Sequence, residues 1–151
     1  KDINNFMKRI GAVELQDFVK NCKVFYRNKE EEIIRLFSVK VENKDLKIIK
    51  EINIPKKAMV GKTEFVSLDR RYFWYVCQEL KKQREGVLVV HNHKYDSNPS
   101  PMDLNVYFIM QKIIEIIDLD VFVFFIYSDC NVYYSIDLKE KRIVKRKVKI
   151  F

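Results

Sequence analysis

Val87-Leu88-Val89-Val90 is a run of purely aliphatic side chains that leads straight into His91-Asn92-His93. A short, unbroken apolar run of this kind is the mark of a strand buried on both faces rather than on one. Val121 to Tyr127 is a second run of the same character. Strands covered on both sides need other elements to cover them, which confines the chain to layered architectures built on a central sheet.

The rest of the chain supplies those elements. Ile33 to Val41 is β-branched and aromatic and is bounded by Asn43, and Leu46 to Ile54, ending at Pro55, reads as its antiparallel neighbour. Glu64 to Leu68 reads as one further short strand, and Cys22 to Tyr26 is strand-like. Asp69 has the position of an N-cap, and Tyr72, Phe73, Val76, Cys77 and Leu80 follow at helical spacing. That helix closes in a basic turn at Lys81 and Lys82, and Gly86 ends the segment. A second helix carries Leu104, Tyr107, Phe108, Ile113, Ile114 and Ile117. Val132 to Ile136 and Arg142 to Ile150 read as a hairpin that completes the sheet, and Ile3 to Val19 has loosely helical spacing. The expected fold class is α/β: residues 1–151 as a single domain with a central mixed sheet flanked by helices.

With 151 residues and 48% hydrophobic side chains, the chain suffices for one domain with a core and is short for two. Its three cysteines, Cys22, Cys77 and Cys130, form no close pair, which argues against a disulfide framework and points to a reducing, cytoplasmic setting. The longest apolar stretches are too short to cross a bilayer, so no membrane partner is expected. The formal charge of +8 is spread along the chain, with a local excess at Lys139 to Lys147. It permits weak nucleic-acid binding but is also what a Lys-rich composition produces by default.

The chemistry concentrates at the end of the aliphatic run. The chain has only two histidines, and they are two residues apart. On a strand that spacing points both side chains to one face. Isolated His-x-His pairs are more often ordinary surface residues. Here, however, Ser100-Pro101-Met102-Asp103 follows at the mouth of the second helix. This string is a good helix start, with Ser as N-cap, Pro at the first position and an acid at the third. It also offers a carboxylate, the oxygen ligand that a catalytic zinc site commonly adds to two histidines, with a further position left for water.

His91-Asn92-His93, a six-residue loop and Ser100-Pro101-Met102-Asp103 resemble the JAMM motif, His-x-His-x(7)-Ser-x-x-Asp, of JAB/MPN+ metallopeptidase domains. The loop is one residue shorter than in that motif. The wording His-Asn-His and Ser-Pro-x-Asp is also similar to the RadC-like branch. The resemblance extends over roughly residues 29–127 in the order of elements, and its specific part is the His-Ser-Asp constellation. It implies a JAB/MPN, cytidine-deaminase-like fold. It further implies Zn²⁺ held by His91, His93 and Asp103, and a Ser100 hydroxyl that stabilises the tetrahedral oxyanion. The family's upstream acid, acting as general base, falls best on Glu31, with Glu30 and Glu32 as rivals. A RadC-like alignment places it at Glu42 or Glu51 instead. The glycines that accompany the family's Glu are missing, and Lys94 stands where many members have Pro.

The activity implied is hydrolysis of a peptide or isopeptide bond in a protein substrate, in this family often joined through the tail of ubiquitin or a ubiquitin-like protein. Bacterial JAB proteins with this wording are associated with ubiquitin-like conjugation and anti-phage defence. The alternatives are a RadC-like domain acting near DNA and a catalytically silent MPN scaffold.

Overall fold

In the computed structural model, residues 25–26, 31–42, 45–62, 65–93, 100–127, 132–137 and 142–147 are described. In chain order the elements are β1 (Ile34–Glu42), β2 (Asp45–Ile52), a 3₁₀ turn at Lys56–Ala58, β3 (Met59–Lys62), β4 (Phe65–Leu68), α1 (Arg70–Lys82), β5 (Gly86–Asn92), α2 (Pro101–Ile117), β6 (Phe122–Tyr127), β7 (Val132–Asp137) and β8 (Arg142–Lys147). The main sheet has four strands in the order β2-β1-β5-β6. β1 runs antiparallel to both β2 and β5, whereas β5 and β6 are parallel. The sheet is therefore mixed, and the unit is a small α/β domain.

β5 and β6, the two runs that lack polar interruptions, are buried along their whole length. Alternation assigns their faces. Val87, Val89, Phe122, Phe124 and Ile126 lie on one side, together with Ile34 and Leu36 of β1. Against them pack Phe73, Val76, Cys77 and Leu80 of α1 and Tyr107, Met110, Ile113 and Ile114 of α2. Tyr107 anchors α2, its ring stacked on Phe122 at 5.6 Å and edge-on to Phe124 at 5.8 Å. Both described helices thus cover the same face of the sheet. On the opposite face Tyr26 stacks on Tyr127 at 5.6 Å, and the Arg35 guanidinium lies over the Phe25 ring at 3.9 Å.

The helix boundaries follow the local chemistry. The Asp69 carboxylate accepts hydrogen bonds from the Arg71 and Tyr72 amides at 2.9 and 3.1 Å and starts α1. Gly86 is more than a stop after that helix. A Cβ there would lie 2.5 Å from the Val121 carbonyl oxygen, so only glycine lets β5 begin hard against the entry to β6. Leaving β5, the chain returns through α2 to the parallel β6. This places the β5 carboxyl end beside the α2 amino end, where open α/β sheets gather their sites.

Several expectations change. The pair at 132–147 does not extend the main sheet. β7 and β8 form their own antiparallel ribbon, as do β3 and β4. The strand β8, Arg142-Ile143-Val144-Lys145-Arg146-Lys147, lacks the unbroken apolar run that burial on both faces demands. Phe25 and Tyr26 have helical rather than extended backbone. Their rings are engaged by Arg35 and Tyr127, a tertiary preference that overrides local β propensity. Cys22 to Val24, the segment Ile3 to Val19, Cys130 and Lys94 lie outside the described residues. Cys77 is buried and free. No helix among the described residues is long and apolar enough to cross a membrane.

Candidate metal centre

The register of β1 on β5 builds the site. Ile34 pairs with His91 in an antiparallel ladder, so continuing past the strand ends sets residue 33 opposite 92 and residue 32 opposite 93. Positions 32, 34, 91 and 93 share the helix-covered face. Glu32 therefore arrives on the side where both imidazoles point. Its carboxylate lies 3.5 Å from His91 Nε2 through one oxygen and 3.9 Å from His93 Nε2 through the other.

The fourth side chain comes from α2. Ser100 is the N-cap and Pro101 opens the helix. The Ser100 hydroxyl accepts from the Asp103 amide at 3.1 Å, and the Ser100 amide donates to Asp103 Oδ2 at 2.8 Å. This reciprocal capping box holds the Asp103 carboxylate at the helix mouth, buried to 4% exposure. Oδ1 of Asp103 stands 3.2 Å from His91 Nε2, and Oδ2 stands 2.9 Å from His93 Nε2. The two rings meet at 89° with centroids 4.8 Å apart, so both Nε2 atoms face the same space between the carboxylates.

Burial by itself would raise the Asp103 pKa. Hydrogen bonds from His91 and His93, the His91 charge and the Ser100 amide outweigh it and hold the carboxyl well below the usual carboxylate range. Asp103 is thus an anion at neutral pH. His91 is 1% exposed; its Nδ1 has no hydrogen-bond partner among the described residues, and its Nε2 faces the Asp103 and Glu32 carboxylates at 3.2 and 3.5 Å.

Glu32, His91 and His93 offer ligand atoms that all lie within 4.8 Å of one another, a group that can hold a metal ion. Asp103 adjoins it through both histidines. The donor set of two imidazoles and two carboxylates suits a divalent transition metal. With bonds of about 2.0–2.1 Å, tetrahedral ligand atoms stand about 3.4 Å apart. The four His-to-carboxylate separations are 2.9, 3.2, 3.5 and 3.9 Å, and those to Asp103 lie below that spacing.

His91, His93, Asp103 and Ser100, expected from the sequence, are thus brought together. Glu31 is not the acid that joins them. It is exposed, and its backbone carbonyl faces Asn92 instead. Neighbouring residues in extended chain point to opposite sides, so placing Glu32 at the histidines turns Glu31 away. Glu51 is occupied elsewhere, bound through both carboxylate oxygens to Arg35. Glu42 ends β1, eight residues beyond Ile34 and so roughly 26 Å along the strand from the site. Glu30 lies outside the described residues.

Sequence reasoning passed over Asn92, whose side chain bonds the segment carrying Glu32. A polar residue closing an otherwise aliphatic buried strand was the available signal. No protein-family model matches the chain, and a search of curated proteins finds no relative, so the geometry of these five side chains carries the functional reading.

Proposed function

We propose that the chain is a zinc-dependent hydrolase of the JAB/MPN+ kind that cleaves a peptide or isopeptide bond. His91, His93 and Asp103 would hold the ion, and Glu32 takes the place of general base that the sequence reading gave to Glu31. The observation that carries this is the convergence of His91 Nε2 and His93 Nε2 on one buried carboxylate, with a second carboxylate slightly further back. The Asp103 oxygens stand nearer the imidazoles than the Glu32 oxygens do. That difference suits Asp103 as ligand and Glu32 as the group that handles a proton.

When bound, zinc supplies Lewis acidity and makes hydroxide available near neutral pH. The chain's own residues do the rest. Asp103 stays ionised and, fixed by Ser100, sets the spacing of the two imidazoles. Glu32 accepts a proton from the attacking water and delivers it to the departing amine, a role open to a carboxylate within reach of both. The Ser100 hydroxyl accepts from the Asp103 amide and still has its own proton to donate to the oxyanion.

A catalytically silent scaffold would be favoured by a site to which no glutamate comes, and Glu32 stands at this one. The substrate class, a protein joined through an extended ubiquitin-like tail, rests on the motif resemblance. The test is elemental analysis of the purified full chain, followed by turnover of ubiquitin-like proteins bearing a fluorogenic C-terminal amide. About one zinc per chain and chelator-sensitive turnover are expected. A chain that takes up no zinc on reconstitution overturns the proposal.

A further inference from the structure

We propose that Asn92, the residue between the two histidines, is a positioning residue. It clamps the peptide groups on either side of Glu32 and so sets where the Glu32 carboxylate stands. The inference rests on the metal-centre reading above and extends it to a residue that touches no ligand atom.

The last paired residues of the β1–β5 ladder are Ile34 and His91. Glu31, Glu32 and Ile33 lie before β1 and outside the ladder. Left to itself, a segment in that position frays, and the Glu32 side chain goes with it. Asn92 is buried and, by alternation, points to the face opposite His91 and His93. There its Oδ1 accepts from the Ile33 amide at 2.6 Å, and its Nδ2 donates to the Glu31 carbonyl at 3.2 Å. One carboxamide thus stands in for the two backbone groups that a longer ladder would have presented, and the residue it brackets is Glu32. The other edge of β5 is tied by the His93 amide donating to the Tyr127 carbonyl at 2.8 Å. The two histidines and the acid facing them are therefore held by bonds on both sides of one strand end.

Asparagine carries a donor and an acceptor in one planar group. Aspartate at this position keeps the acceptor but turns a second oxygen toward the Glu31 carbonyl. Alanine removes both contacts. Outer partners that orient a metal site commonly alter metal affinity or activity by about 10–100-fold when lost.

The experiment compares the full chain with Asn92→Asp, Asn92→Ala and Glu32→Gln. Three quantities are read: the visible spectrum of the Co²⁺-loaded protein, Zn²⁺ affinity by competition with a chromophoric chelator, and hydrogen exchange of the Ile33 amide. Loss of Ile33 protection is expected in Asn92→Ala, whereas Asn92→Asp, which keeps the acceptor for that amide, should retain more of it; protection in the β1–β5 ladder is retained in both. Their Co²⁺ spectra should move toward that of Glu32→Gln, with any loss of Zn²⁺ affinity no larger than that of Glu32→Gln. The combined Asn92→Ala, Glu32→Gln protein should lose little more than Glu32→Gln alone, because Asn92 acts through Glu32. Additive losses would mean a merely structural role and overturn the inference, as would Asn92 variants with the parent spectrum and affinity. Should Asn92→Ala fail to fold, the near-isosteric Asn92→Asp, which loses the bond to the Glu31 carbonyl, gives the Co²⁺ and Zn²⁺ readings. A parent protein that takes up neither ion overturns the metal-centre reading itself, an outcome distinct from a metal-loaded parent with indifferent Asn92 variants.

Discussion

His93 Nε2 and Asp103 Oδ2 stand 2.9 Å apart, joining the carboxyl end of β5 to the first turn of α2. The same oxygen accepts the Ser100 amide. Helix initiation and the imidazole pair therefore share one carboxylate.

Removal of that carboxylate should empty the site. Asp103→Ala and His91→Ala are expected to copurify with far less than one zinc per chain. In the parent protein, zinc at a hundred times its dissociation constant should stabilise the fold by about 2.7 kcal/mol. For a domain of this size that is a Tm rise of roughly 5–10 °C, abolished in both variants. Differential scanning calorimetry with and without chelator measures it.

The two neighbouring glutamates should behave in opposite ways. Glu32→Gln is expected to lower turnover by about 10²–10⁴-fold, the usual worth of a positioned acid–base group. Glu31→Gln should leave turnover within about two-fold, since the exposed Glu31 contributes to the site through its backbone carbonyl, which the substitution keeps. Steady-state kinetics on the same fluorogenic substrate separates them.

Ser100→Ala should show two separable losses. Deletion of the N-cap is worth about 1 kcal/mol of stability, read from denaturant unfolding. Loss of an oxyanion donor is worth about 10²–10³-fold in kcat. Ser100→Asn, which caps well, should recover the stability without recovering the rate.

Gly86→Ala tests the packing behind the site. The added methyl meets the Val121 backbone, which cannot rotate aside. A loss of about 1–3 kcal/mol is expected by thermal or denaturant unfolding.

Cys77 makes a prediction in pH. Burial pushes its thiol up to about 12. The unfolded thiol ionises near 8.5. A group whose folded pKa is raised contributes fully below the unfolded value and loses that contribution as pH climbs toward the folded one. Stability should therefore decline above about pH 8.5. Iodoacetamide should leave Cys77 unlabelled in the native protein even at about pH 9 yet label it in denaturant, as peptide mapping can follow.

Much of this was legible in the residues themselves. Val87 to Val90 announces a doubly covered strand, and period-two alternation puts His91 and His93 on one face whatever their surroundings. Ser100-Pro101-Met102-Asp103 spells a helix start that brings its acid back to the N-cap. The choice between Glu31 and Glu32 was not legible, for a specific reason. Ile33 and Ile34 are adjacent and alike, so the entry to β1 has no alternation to reveal which parity faces the helices. Only the pairing of Ile34 with His91, a contact across 57 positions of sequence, settles it. Asn92 was obscured in the same way, since the partners of its carboxamide are about sixty residues away. The separate β7–β8 ribbon was misjudged because strand identity is local and sheet membership is not.

The capping box at Ser100 has one more consequence. Asp103 Oδ2 holds the Ser100 amide and faces His93 Nε2, so a cation bound between the imidazoles would draw on the oxygen that caps α2. Its binding should register in the Ser100 and Asp103 amide resonances without any substrate.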